Sequence, residues 1–153
     1  LMLLVGIPPT LKKELSIWKS GWYFNFLIGQ LNYVASRFNK KLLVYIDNKK
    51  YFKDLREKAT NKIHLENKQI DCHLIDDCLK VNSVIVYIDN YYLQRQVHAP
   101  HFILLQSKQK DDYIILDPWD GKRKKISKNI IHRAIKSLKI KFKFSPVLIT
   151  HPI

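Results

Sequence analysis

Cysteine is nearly missing from this chain: Cys72 and Cys78 are the only two in 153 residues. Two such residues, without CxxC or histidine-paired spacing, exclude a disulfide scaffold and argue against a metal centre, so neither metal nor cofactor is expected. Missing too is any apolar run near the ~20 residues of a membrane span. The opening LMLLVGIPPT is too short, and lacks the basic flank, to be a signal peptide; it reads instead as the tail of a helix. A chain opening on leucine reads as a piece of something longer, with Met2 the alternative start. Free thiols point to a reducing, cytoplasmic setting.

Acidic residues are the third scarcity, 13 against 27 Lys and Arg, for a net charge of +14. The imbalance is concentrated in residues 119–143, where Lys122, Arg123, Lys124, Lys125, Lys128, Arg133, Lys136, Lys139, Lys141 and Lys143 face one acid, Asp120. Such a field attracts nucleic acid, an anionic surface or an acidic peptide. No aromatic stacking pattern interleaves these lysines, so a solvated face is the plainer reading.

What is present is enough for a core. Hydrophobic residues make up 46% of the chain, and the length suits one domain over residues 1–153. No internal repeat or linker interrupts it. Thr10 caps a first helix with Leu11, Leu15 and Trp18 at helical spacing before Gly21. A second is predicted from Trp22 to Phe38 on Tyr23, Leu27, Leu31, Val34, Ala35 and Phe38. KLLVYID (41–47) reads as a strand, 51–60 as a small helix, and NKIHLENKQ as a polar stretch. Residues 70–80 put Ile70, Leu74, Ile75, Cys78 and Leu79 on one helical face. SVIVYID (83–89) reads as a central strand. Strands at 101–106 and 112–117 flank the loop SKQKDD, and DPWDG forms a turn. Ser127 caps a last helix with Ile130, Ile131, Ala134, Ile135 and Leu138 inward, and SPVLIT (145–150) is a closing strand. Helices first, then mostly consecutive strands, predict an α+β fold with an antiparallel sheet, a helical lobe and a cleft.

The chemistry concentrates in HAPHFILLQSKQKDDYIILDPWDG (98–121). His101 opens one strand and Asp117 closes the next, so an antiparallel hairpin brings both to one end of the sheet. There the carboxylate orients the imidazole and leaves its other nitrogen as a base. Strand-end His and Asp residues are also common without catalysis. His98 projects to the opposite face from His101, which argues against zinc. Tyr91 and Tyr92 line a substrate cleft or pack as half-buried aromatics; Trp119 covers the His–Asp pair or plugs the core end.

VNSVIVYIDNYYLQRQVHAPHFILLQSKQKDDYIILDPWDG resembles the His/Asp half of peptidase family C39 and its C39-like relatives, cysteine peptidases of papain-like fold. The resemblance covers residues 80–121. It implies a Cys-His-Asp triad with His101 as base and acid and Asp117 as its orienting carboxylate. It further implies a peptide or leader-peptide substrate and a cytosolic site, either stand-alone or beside an export transporter. The family's nucleophilic Cys, and the Gln before it that lines the oxyanion hole, have no counterpart here and are expected upstream of Leu1; this chain alone is expected to be inactive. Cys78, near a helix end, reads as core, and Cys72, near a helix start, as a remote substitute nucleophile. Two other readings stand beside the peptidase: an inactive peptide-binding pseudo-peptidase, and a basic domain binding nucleic acid or an anionic surface.

Overall fold

A computed structural model describes residues 1–22 and 26–151. In chain order its elements are α1 (Leu11–Trp22), α2 (Phe26–Arg37), β1 (Leu42–Ile46), α3 (Lys49–Arg56), β2 (Ile63–Asn67), α4 (Cys72–Leu79) and β3 (Val84–Asp89). There follow α5 (Tyr91–Gln94), β4 (Pro100–Gln109), β5 (Asp112–Asp117), β6 (Lys122–Ser127), α6 (Lys128–Lys141) and β7 (Val147–Thr150). Tyr23, placed on the second helical face by sequence, lies outside the described residues.

The fold is α+β. Its seven strands form one sheet in the order β2-β1-β7-β3-β4-β5-β6. That sheet is mixed rather than antiparallel, because β1 and β2 run parallel. The reason is the connection: α3 lies between them, and a crossover helix returns the chain in the same direction. The other neighbours pair antiparallel.

A helical lobe facing a sheet lobe is also corrected, since helices cover both faces of the sheet. On one face Ile28, Leu31, Val34 and Ala35 of α2, Leu55 of α3 and Ile17 of α1 pack on Val44, Ile85 and Leu104. On the other, Leu74 and Ile75 of α4 and Ile131, Ala134 and Ile135 of α6 pack on Val84, Val86, Ile103 and Ile115. Alternation along each strand, with period two, feeds both cores at once.

Local chemistry explains the helix ends. Asp71 accepts from the amides of His73 and Leu74 at the start of α4, and Ser127 accepts from Asn129 at the start of α6. These short polar side chains satisfy amides that have no intrahelical partner. Near the start of the chain, Ile7 N–H donates to Met2 O and Gly6 N–H to Leu3 O, with Gly6 at φ +70°. This is the Schellman closure of a helical turn. Inside α4, Asp76 gathers Tyr113 Oη at 2.6 Å and Lys108 and Lys128 Nζ at 2.7 Å each, tying α4 to β5, β4 and α6. Burial alone would raise this carboxyl, but those three donors bring it down to about 2.

Three further readings change. NKIHLENKQ contains β2 and KRKKIS forms β6, and these are the two edge strands. Edge strands carry charge and expose their side chains, so their composition resembles loop. The 107–112 loop shrinks to Lys110–Asp111, with Lys110 at φ +56°, because β4 runs on to Gln109. Leu11, Leu15 and Trp18 face solvent, while Ile17 and Gly21 hold α1 to the body.

Candidate active site

His101 is the second residue of β4 and lies opposite Ile88 of β3. Asp117 is the last residue of β5. Whether their side chains share a face depends on one residue. Near the turn, Gln109 faces Asp112 and Ser107 faces Ile114; beyond the bulge, Leu105 faces Ile115 and Leu104 faces Leu116. A regular ladder continued from the turn would set His101 and Asp117 on opposite faces. The extra residue in β4, Gln106, shifts the register by one and puts them on the same face.

There His101 Nε2 meets Asp117 Oδ1 at 2.8 Å. The imidazole side chain is 11% exposed and the carboxylate is fully buried. Asp117 has three further donors: Lys124 Nζ at 2.8 Å and Gln94 Nε2 at 3.4 Å on Oδ2, and Trp119 N–H at 3.0 Å on Oδ1. Burial works to raise the carboxyl, but Lys124, His101 and the Trp119 amide outweigh it and hold the group at about 2. An ionised carboxylate only accepts, so Nε2 carries the imidazole proton and Nδ1 carries the lone pair. No described residue forms a hydrogen bond to Nδ1. It is therefore available as a base.

Lys124 was legible only as one of a basic run. It stands opposite Ile115 in the β5–β6 ladder, on the same face as Asp117, and its ammonium bridges Asp117 and Asp120 at 2.8 and 2.7 Å. Gln94, on the single turn of α5, also gave no sequence signal. Trp119 sets its ring edge-on to His101, centroids 5.8 Å apart, while staying 69% exposed. It borders the pair and does not plug the core.

The other candidates assemble elsewhere. His98 Nδ1 lies 2.7 Å from buried Asp89 Oδ2, and Ser137 Oγ donates to the same oxygen at 2.6 Å. Burial raises the Asp89 carboxyl, but the bonds from Ser137, His98 and the Tyr91 amide hold it below its ordinary value. Tyr91 stacks on His98 at 4.1 Å, and Arg133 lies over Tyr92. The two tyrosines line a cavity of about 250 Å³ with Arg95, Ile130 and Arg133, next to His98 rather than His101. A second cavity of about 450 Å³, lined by Asn48, Tyr51, Tyr87 and Phe144 among others, takes in neither His101 nor Asp117.

Neither thiol joins the pair. Cys72 is buried with its Sγ 3.6 Å from Lys128 O, and burial pushes its thiol up. Burial pushes Cys78 up as well. Among the described residues no group of three His, Cys, Asp or Glu side chains is placed to hold a metal ion, and no helix is long and apolar enough to cross a membrane. Comparison with family models, curated proteins and solved structures finds no match to this chain. The site therefore stands on its geometry: an α+β domain with a buried, lysine-braced His–Asp pair.

Proposed function

We propose that the parent protein is a cysteine peptidase of the C39-like type with a papain-like fold, acting on peptide or leader-peptide substrates. The observation that carries this reading is the His101–Asp117 pair, with Nε2 committed to a buried ionised carboxylate and Nδ1 free. In the reaction, Nδ1 takes the proton of a cysteine thiol, and the thiolate adds to the scissile carbonyl. The imidazolium returns that proton to the leaving amine, and a water then hydrolyses the acyl-enzyme with His101 again as base. Asp117 orients the ring and stabilises its charged form, and a glutamine before the cysteine donates to the oxyanion.

The thiol in this reading precedes Leu1. Leu1 lines a small cavity with Phe102, Leu116 and Pro118 at the sheet end that carries the pair, on the face opposite the His101 and Asp117 side chains. The test is peptide cleavage by the full-length gene product, blocked by iodoacetamide. His101→Ala is expected to lower kcat by on the order of 10²–10⁴. Wild-type turnover in that variant would end the mechanism.

A pseudo-peptidase is the second reading, favoured by the burial of Cys72 and Cys78. It predicts a full-length protein that binds peptide and does not cleave it.

A further inference from the structure

Helix α1 turns an apolar stripe outward. Leu11, Leu15, Trp18 and Trp22 are spaced by four, three and four residues, so a turn of about 100° per residue lines them along one narrow strip. They are 73, 49, 52 and 68% exposed, and Phe26, at the start of α2, is 49% exposed. These are not scattered singletons. Trp18 meets Trp22 edge-on at 5.4 Å and Phe26 at 5.9 Å, so the aromatic rings form one continuous patch. A contiguous exposed patch of large apolar side chains marks an interaction surface.

Charge selects the occupant. By the same helical spacing Lys12 and Lys19 border the stripe, within about 90° of its axis and on the solvent side, with Glu14 on the other border. The chain as a whole carries +14. A second copy would bring two such lysine borders and two strongly cationic bodies together, which repel. An anionic bilayer complements both parts: tryptophan and phenylalanine settle at headgroup depth, leucines reach the acyl boundary, and lysines extend to lipid phosphates.

We infer that the exposed face of α1, with Phe26, docks this domain on an anionic membrane surface. The helix lies in the plane of the interface and does not cross it. The inference is independent of the peptidase reading.

The experiment is co-sedimentation of the chain with vesicles of phosphatidylcholine alone or with phosphatidylglycerol in equal parts. Trp18 and Trp22 are exposed and, among the aromatic rings of the described residues, meet only each other and Phe26, so a Trp18→Ser, Trp22→Ser double variant should keep the wild-type far-ultraviolet spectrum. The chain is expected to bind the anionic vesicles only, and the double variant to lose at least about tenfold in partitioning. A Lys12→Glu, Lys19→Glu variant is expected to weaken the same binding, and added salt to weaken it further. Brominated lipid should quench tryptophan emission in a Trp119→Phe background, where Trp18 and Trp22 are the remaining tryptophans, which decides the matter even if the double variant fails to fold. Undiminished binding by the double variant, no binding by the wild type, or a dimer that the tryptophan substitutions dissolve would each overturn the inference.

Discussion

Lys124 sets its ammonium 2.8 Å from Oδ2 of Asp117, the oxygen that His101 leaves free. One buried carboxylate thus serves a base on β4 and a cation on β6. The arrangement keeps Asp117 ionised at any physiological pH, and it divides the carboxylate's charge between an imidazole and an ammonium.

Removing the lysine tests that division. Lys124→Met takes the main cation from a fully buried carboxylate, and the cost should be about 1–3 kcal/mol, less than for a wholly buried pair because Lys124 is partly solvated. The Asp117 carboxyl should rise toward the ordinary range at the same time. Urea titrations at neutral pH measure the first effect, and carboxyl carbon shifts against pH the second. An unchanged midpoint would show that the ammonium is ornamental.

Acid should unfold the domain in a defined window. Asp117 and Asp76 each sit at about 2 in the folded state, below the ~3.9 of an unfolded aspartate. A depressed carboxyl favours folding above the unfolded value and loses that contribution as pH falls. Each is worth on the order of 2 kcal/mol, present above about pH 4 and gone near pH 2. Asp76→Asn should make the acid slope shallower. Stability that stayed flat between pH 4 and 2 would contradict both assignments.

The thiols give a simpler test. With burial pushing both up, Cys72 should react with iodoacetamide at neutral pH on the order of tenfold or more slower than a free thiol, and only through opening of the fold. Mass mapping after timed alkylation reads this directly. Rapid modification of Cys72 that His101→Ala abolished would return it to the candidate nucleophiles.

Two glycines should respond to alanine for different reasons. At Gly6 a Cβ meets nothing within 4 Å, yet φ is +70°, so only backbone strain opposes it, about 1–2 kcal/mol. Gly21 has no such φ, but a Cβ there would stand 2.9 Å from Phe26 O. Far from ending α1, Gly21 lies within it and lets the start of α2 approach. Its substitution should cost about 1–3 kcal/mol through displaced backbone. Thermal melts of the two variants separate the cases when repeated with Gly6→Asn, which tolerates positive φ and should recover part of the loss.

Sequence periodicity located what is buried on one side and capped at one end. The faces of α4 and α6, the cap at Ser127 and the apolar run of β3 are all read from spacing and side-chain type. So is the meeting of His101 and Asp117 at one end of a hairpin. Spacing did not disclose why they share a face, because a bulge at Gln106 has no compositional mark. It did not disclose Lys124 either, since one of ten basic residues in a run differs from the rest only by its register against Ile115. Edge strands β2 and β6 showed in the sequence only as a polar stretch and part of a basic run, because one or both of their faces meet water. The stripe on α1 has the spacing of a core face, and spacing cannot say on which side of a helix the core lies.

The strand order has a consequence for how the chain comes off the ribosome. β7 is the last strand described, yet it sits between β1 and β3 and is the only strand joining the β1–β2 pair to the β3–β6 ladder. Until residues 147–150 emerge, those two blocks have no sheet hydrogen bonds between them, and each presents an unpaired, apolar edge. Vectorial synthesis therefore leaves the centre of the sheet open until β7 has emerged. A nascent chain paused before Val147 would be a ready substrate for chaperones that shield strand edges.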